Sequence, residues 1–254
     1  MLYCEQFYKE TSIHHYSILI VEDSEVFSKT LFKSLSQNTN YTIQQAYNFE
    51  EASEKLTKKY DFIILDLHLP DSYGEELIDS IKKLSQAKII VLTSESDIQV
   101  RETLFKKGIV DYLIKDKYFS VSMKAISHTI ESLERNKANK ILVIEDSLFM
   151  AKQLQKTLEL RNYQVQIART AKEGMNLLKK SNINTIILDM ELPDKHGLDL
   201  LREIKDINEL CHIPVIIVSS TNDPEIIRSS LKLGASDFIK KPFNIEEFVL
   251  KVDI

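Results

Sequence analysis

The stretch IILDLHLPDSYGEEL, residues 63–77, sets an apolar run, Ile63, Ile64 and Leu65, directly against a carboxylate, Asp66. A short apolar run bounded by turn residues reads as a buried strand. Taking an unpaired carboxylate out of water is costly, so an acid at the end of such a strand asks for a partner. The same arrangement returns in IILDMELPDKHGLDL, residues 186–200. Asp66, Pro70 and Gly74 are matched there by Asp189, Pro193 and Gly197 at the same offsets.

The repetition extends outward from these two stretches. SILIVEDSEVF (17–27) matches KILVIEDSLFM (140–150), KIIVLTS (88–94) matches VIIVSS (215–220), and GIVDYLIKD (108–116) matches GASDFIKKP (234–242). The offset is 123 residues for the earlier pairs and 126 for the later ones. A period this long means two domains rather than a solenoid of small repeats. We divide the chain into an N-terminal extension, 1–16, and two domains, 17–137 and 138–254. The join, NKANK, has no Gly/Ser or Pro-rich linker, so we expect the domains to be held close.

Composition narrows the function classes. Of 254 residues, 43% are hydrophobic and 28% charged, as in ordinary globular proteins. The net charge of −5 argues against nonspecific binding to nucleic acid or an anionic membrane. No apolar run approaches the roughly 20 residues that a spanning helix needs. The start, MLYCEQFYKETSIHHY, lacks the basic and apolar regions of a secretory signal. Cys4 and Cys211 have no metal-type spacing and are read as inert thiols in a reducing cytoplasm.

In the first domain, β-branched runs near 17–22, 41–46, 61–66, 88–93 and 110–114 alternate with amphipathic stretches near 24–37, 49–58, 74–84, 97–107 and 119–136. Strands that are apolar on both faces, alternating with helices, predict an α/β fold: a doubly wound parallel five-stranded sheet in each domain. In such sheets ligands bind beyond the carboxyl ends of the strands. Four positions per domain stand there: Glu22–Asp23, Asp66, Thr93 and Lys115, then Glu145–Asp146, Asp189, Ser219 and Lys241. From the second residue of each acidic pair, the intervals run 43, 27 and 22 residues in one domain and 43, 30 and 22 in the other. The shorter interval puts a deletion between the third helix and fourth strand, away from the pocket. Crowded carboxylates repel unless a cation joins them. Mg²⁺ suits an all-oxygen site with few protein ligands. With a lysine and a hydroxyl, such a site can stabilise a phosphoryl group in transfer to a carboxylate nucleophile.

Both halves resemble the receiver domain of two-component response regulators, over about residues 16–136 and 139–254. The resemblance implies flavodoxin-like sheets of strand order 2-1-3-4-5. It implies that Asp66 and Asp189 accept phosphoryl groups from a histidine kinase or histidine phosphotransfer protein. Glu22, Asp23, Glu145 and Asp146, with the backbone carbonyls of His68 and Glu191, would organise Mg²⁺. Thr93 and Ser219 would be switch hydroxyls, Lys115 and Lys241 phosphate-pairing lysines, and Tyr112 and Phe238 aromatics that swing inward on activation. The family places a cis proline after the lysine. Lys241–Pro242 keeps it, whereas Asp116 follows Lys115, so the first loop is expected to be trans.

Other readings compete. Asp23 and Asp146 each precede a Ser and could serve as helix N-caps. Tyr112 and Phe238 could be plain core aromatics, and His14–His15 are read as surface residues. Gly74 and Gly197 belong to the turn into the third helix. A haloacid-dehalogenase-type phosphatase would need Asp-x-Asp after the first strand, and a dinucleotide enzyme Gly-x-Gly-x-x-Gly; VEDSEVF carries neither. One receiver, the first for want of its proline, could instead be a docking or homodimerisation module. NIEEFVLKVDI opens a fifth helix that stops early, so an output domain, such as one that makes cyclic di-GMP, is expected to follow.

Overall fold

The structure, a computed structural model, describes residues 15–38 and 40–253. Cys4 and His14 lie outside the described residues; His15 and Cys211 are exposed. The chain divides into two compact units, Met1–Ile126 and Ser127–Ile254.

In the first half, β1 (Tyr16–Val21), β2 (Tyr41–Ala46), β3 (Phe62–Leu65), β4 (Lys88–Thr93) and β5 (Asp111–Ile114) alternate with α1 (Glu25–Leu35), α2 (Phe49–Lys55), α3 (Gly74–Leu84), α4 (Ile98–Lys106) and α5 (Phe119–Asn136). In the second, β6 (Lys140–Ile144), β7 (Gln164–Ala168), β8 (Thr185–Asp189), β9 (Val215–Ser219) and β10 (Asp237–Lys240) alternate with α6 (Leu148–Leu160), α7 (Ala171–Lys180), α8 (Gly197–Asp206), α9 (Pro224–Lys232) and α10 (Ile245–Val252). The sheets run β2-β1-β3-β4-β5 and β7-β6-β8-β9-β10, every pairing parallel. Each is therefore a doubly wound, flavodoxin-like sheet of order 2-1-3-4-5.

The reason lies in the strands. Ile18 to Val21 and Ile141 to Ile144 are wholly buried, as a central strand covered on both faces must be. In the second half, one core joins alternate strand residues to Met175 and Leu178 of α7 and Leu200, Leu201 and Ile204 of α8. The other joins the opposite face to Leu154 and Leu158 of α6 and Phe248, Val249 and Val252 of α10. Burying each such aliphatic side chain stabilises the fold by about 1.5–3 kcal/mol.

The division between units falls inside α5. Beyond it, Asn136 Nδ2 donates to the Arg161 carbonyl (3.0 Å), Asn162 Nδ2 to the Leu133 carbonyl (2.9 Å) and Gln164 Nε2 to the Lys137 carbonyl (3.0 Å). The last turns of α5 thus bond within the second unit.

The deletion lies where the spacing put it: residues 85–87 join α3 to β4, whereas 207–214 join α8 to β9. A lysine at the same place in both helices behaves differently as a result. Lys82 donates to the carbonyls of Lys107 and Gly108 at the end of α4, and Lys107 returns to Asp79 (2.6 Å) and Glu75 (3.5 Å) of α3. Lys205 instead donates to Cys211 (2.9 Å) and Ile213 (2.7 Å), within the longer connection.

Candidate functional site

Each sheet brings its acids together at the carboxyl ends of its strands. Asp66 follows β3 directly and Asp189 is the last residue of β8. Glu22 and Glu145 follow β1 and β6, the central strands beside them. Glu22 and Glu145 are 2% exposed and Asp66 and Asp189 6%, while Asp23 and Asp146 face solvent. One carboxylate oxygen from each of Glu22, Asp23 and Asp66 lies within 4.8 Å of the others, and the same holds for Glu145, Asp146 and Asp189.

A lysine holds each pair of buried acids. Lys115 Nζ lies 2.5 Å from Asp66 Oδ2 and 2.8 Å from Glu22 Oε2. Lys241 Nζ lies 2.9 Å from Asp189 Oδ2 and 2.7 Å from Glu145 Oε2. Burial pushes the Glu22 carboxyl above its ordinary range, Asp66 adds to it, and Lys115 offsets it only in part. Burial does the same to Glu145, with Lys241 opposing and Asp189 reinforcing. Burial works against a positive Lys115 or Lys241 too, but the paired carboxylates outweigh it and hold both ammonium groups above their usual value. The arrangement is one cation against two buried acids and a third at the rim.

The hydroxyls are in place. Thr93 and Ser219 are buried, and each oxygen accepts from the amide two residues on, Glu95 and Thr221, at 3.2 Å. The amides of His68 and Glu191 donate to Asp66 Oδ1 (3.3 Å) and Asp189 Oδ1 (3.4 Å). The loop they begin is stitched shut: the Gly74 amide donates to the Leu67 carbonyl (2.9 Å) and the Gly197 amide to the Met190 carbonyl (2.8 Å). Gly74 sits at φ +60°, where a side chain is strained. A Cβ at Gly197 would lie 2.7 Å from the Asp189 carbonyl oxygen, so the helix start can approach the acid only without one.

The aromatics differ. Tyr112 is 2% exposed, and its hydroxyl donates to the Glu95 carbonyl at 2.9 Å, beneath the Arg101 guanidinium. Phe238 is half-buried. The cis peptide bond among the described residues joins Lys241 to Pro242.

The competing reading of Asp23 and Asp146 as helix N-caps does not hold. The N-caps of α1 and α6 are Ser24 and Ser147, which accept from the amides of Phe27 and Met150; Asp23 and Asp146 stand one residue outside the helix. The shorter hydroxyl takes the cap and leaves each acid beside the pocket. Three contacts had not been foreseen. The Phe27 ring lies 4.9 Å from Lys115 Nζ. Arg169 donates to the Asp146 carbonyl. Asp71 and Asp194, five residues beyond each phosphoacceptor candidate, bind the amides that open α2 and α7. Only the last had a visible signal, since LPD occurs in both copies.

The model for the response regulator receiver domain matches residues 18–127 and 141–253. The chain belongs to this family. A solved structure described as a two-component system response regulator/GGDEF domain protein superposes with a TM-score of 0.75 at 26% identity, covering 94% of this chain and 96% of that one. The transcriptional regulatory protein CrdR of Helicobacter pylori is 31% identical over 44% of the chain and 53% of its own length. Response regulator ArlR of Staphylococcus saprophyticus is 34% identical over 44% and 50%. The chain thus spans about half the length of these two relatives. Two-component response regulator ORR12 of rice (Oryza sativa subsp. japonica) is 37% identical over 41% of the chain and 88% of its own length. No helix among the described residues is long and apolar enough to cross a membrane.

Proposed function

We propose that this response regulator carries two working phosphoreceivers, 17–137 and 138–254, each taking a phosphoryl group from a phosphohistidine donor. The observation that carries the reading is the duplicated pocket, in which a buried Asp and Glu share one lysine beside an exposed third acid. A carboxylate oxygen of Asp66 or Asp189 attacks phosphorus. The O–P bond forms as the donor's P–N bond breaks, and the electron pair and a proton return to the imidazole. Lys115 or Lys241 then moves its hydrogen bonds from the acid to the phosphoryl oxygens. Thr93 or Ser219 donates its O–H to another of those oxygens.

The donor set fits Mg²⁺ by its chemistry: three carboxylates with one oxygen each within 4.8 Å of the others, two of them buried beside a single ammonium. Glu22, Asp23 and Asp66, or Glu145, Asp146 and Asp189, would hold it with the backbone at His68 or Glu191. A bound Mg²⁺ supplies positive charge to the phosphoryl oxygens. The donor is a histidine kinase or histidine phosphotransfer protein in the cytoplasm. The inward Tyr112 and the half-buried Phe238 report the switch to an output, and the GGDEF domain in the description of the similar structure favours a cyclic-di-GMP-forming one.

Intact mass after incubation with Mg²⁺ and a small-molecule phosphoryl donor tests the reading. Wild type should gain two phosphoryl groups, and Asp66→Asn and Asp189→Asn one each. One adduct, lost only in Asp189→Asn, would make the first receiver a docking module. No adduct on any protein would refute the proposal.

A further inference from the structure

Each phosphoacceptor loop carries an acid that the pocket does not use. Asp71 Oδ1 accepts from the Phe49 amide (2.8 Å) and Oδ2 from the Glu50 amide (2.9 Å). Asp194 does the same with Ala171 (2.8 Å) and Lys172 (2.9 Å). These are the first two amides of α2 and α7. The third amide is taken by a local cap, Asn48 at 2.8 Å or Thr170 at 3.0 Å. A helix start leaves its first amides without intrahelical partners and attracts negative charge; here the loop acid satisfies two of them and the local cap the third.

A helix can be capped from its own sequence. These carboxylates come from 21 to 23 residues away, so the contact fixes the loop as much as the helix. The loop's stem is already closed by the Gly74 and Gly197 amides, with His68 opposite Tyr73 and Glu191 opposite His196. In the first unit the Leu69 amide also donates to the Ser72 carbonyl (3.0 Å). The tip is what remains to be fastened. Around the contact the two copies differ: Phe49–Glu50 against Ala171–Lys172, and Ser72–Tyr73 against Lys195–His196. The acid and its two bonds stay the same. Burial works against a charged Asp71, yet the amides of Phe49 and Glu50 hold its carboxyl below the ordinary range; the amides of Lys172 and Ala171 do so for Asp194.

We infer that Asp71 and Asp194 are positioning residues: by fastening the loop tip to the start of α2 or α7, they hold the backbone at His68 and Glu191 in register for the divalent cation. The inference rests on the phosphoreceiver reading and names a further part of its pocket. A residue that orients metal ligands costs about 10–100-fold in metal affinity when removed, whereas a plain helix cap costs stability alone.

Isothermal titration of the full chain with Mg²⁺ separates the two. Asp71→Ala/Asp194→Ala should weaken Mg²⁺ about tenfold or more. Asp71→Asn/Asp194→Asn, which keeps an acceptor oxygen, should weaken it less. Asn48→Ala/Thr170→Ala, which removes the other cap of the same helices, should bind Mg²⁺ as wild type does. Equal weakening in the alanine-cap pair, or wild-type affinity in both Asp pairs, would overturn the inference. If the Asp→Ala pair fails to fold, the Asp→Asn pair decides against Asn48→Ala/Thr170→Ala alone. A wild type that binds no Mg²⁺ would bring down the phosphoreceiver reading itself, and this inference with it. Mg²⁺ binding by wild type with no difference among the pairs would sink only the inference.

Discussion

Lys115 and Lys241 grip the same two kinds of acid, yet their surroundings have little in common. Over Lys115 lies the Phe27 ring, itself met edge-on by Phe119 at 5.3 Å. The equivalent positions in the second half are Met150 and Ile245. Lys241 is followed by a cis proline and Lys115 by Asp116. Three residues before the lysine, Tyr112 is buried and bonded, and Phe238 is half-exposed without a hydroxyl. The acids, lysine and hydroxyl recur in both halves because the charge balance of the pocket leaves no slack. What surrounds them differs, so on the proposed reading the two pockets would couple differently to whatever responds to them.

The comparison can be broken at the lysines. Removing one partner of a buried ion pair costs about 3–5 kcal/mol, so Lys115→Met and Lys241→Met should each destabilise their own half by about that much. Lys115→Met should lose about 0.5–1 kcal/mol more, through Phe27. Urea unfolding with hydrogen exchange followed in each half measures both; a larger loss at Lys241 would reverse the contrast.

A smaller effect is expected on the edge strands. Gln44 Oε1 accepts from the Tyr60 hydroxyl at 2.6 Å. At the same register in the second sheet, Gln166 Oε1 is buried with no hydrogen-bond partner among the described residues, and Ile183 stands where Tyr60 does. An unsatisfied buried polar atom costs about 1–3 kcal/mol. Gln166→Leu should therefore stabilise the second half by about 1 kcal/mol and Gln44→Leu destabilise the first by about as much. The same sign in both halves would erase this difference.

The smallest effect belongs to Tyr112. Tyr112→Phe removes one hydrogen bond, worth about 0.5–1 kcal/mol net. Burial first, and Glu95 second, push the Tyr112 hydroxyl from 10.0 up to about 12. A phenol that holds its proton more tightly when folded contributes stability that is complete below pH 10 and is lost as pH rises through about 12. Ultraviolet titration of tyrosinate should show a component with a midpoint near 12 that vanishes in Tyr112→Phe, while that of Tyr163, which burial pushes higher still, remains. An unchanged curve would remove the distinction between the buried and half-buried aromatics.

Much of this could be read in the sequence, and the limits have physical causes. The strands were legible because both-face burial leaves unbroken runs such as Ile63 to Leu65. The pocket was legible because it needs fixed residue types at strand ends, and the connections between them can change only away from it, as the shorter α3–β4 connection does. Caps were less so: in Asp23–Ser24 and Asp146–Ser147 either residue can bond a helix amide, and backbone geometry decides for the serine. The end of α2 at Lys55 rather than near residue 58 has no breaker to mark it. The Asp71 and Asp194 contacts depend on which distant helix the loop tip meets, which no local pattern carries. The NKANK seam marks where the second strand set begins, but not that the last turns of α5 bond to the Arg161–Gln164 turn.

The lysine shared by α3 and α8 has a consequence for how each half breathes. Lys82 and Lys107 lace α3 and α4 together in both directions. Two helices so joined should open together in hydrogen exchange, with α4 protected nearly as well as the better-buried α3. Lys205 is committed to the connection before β9, so α8 and that connection should open together and α9 separately from them. Two halves with matching pockets should thus differ in which helix exchanges on its own.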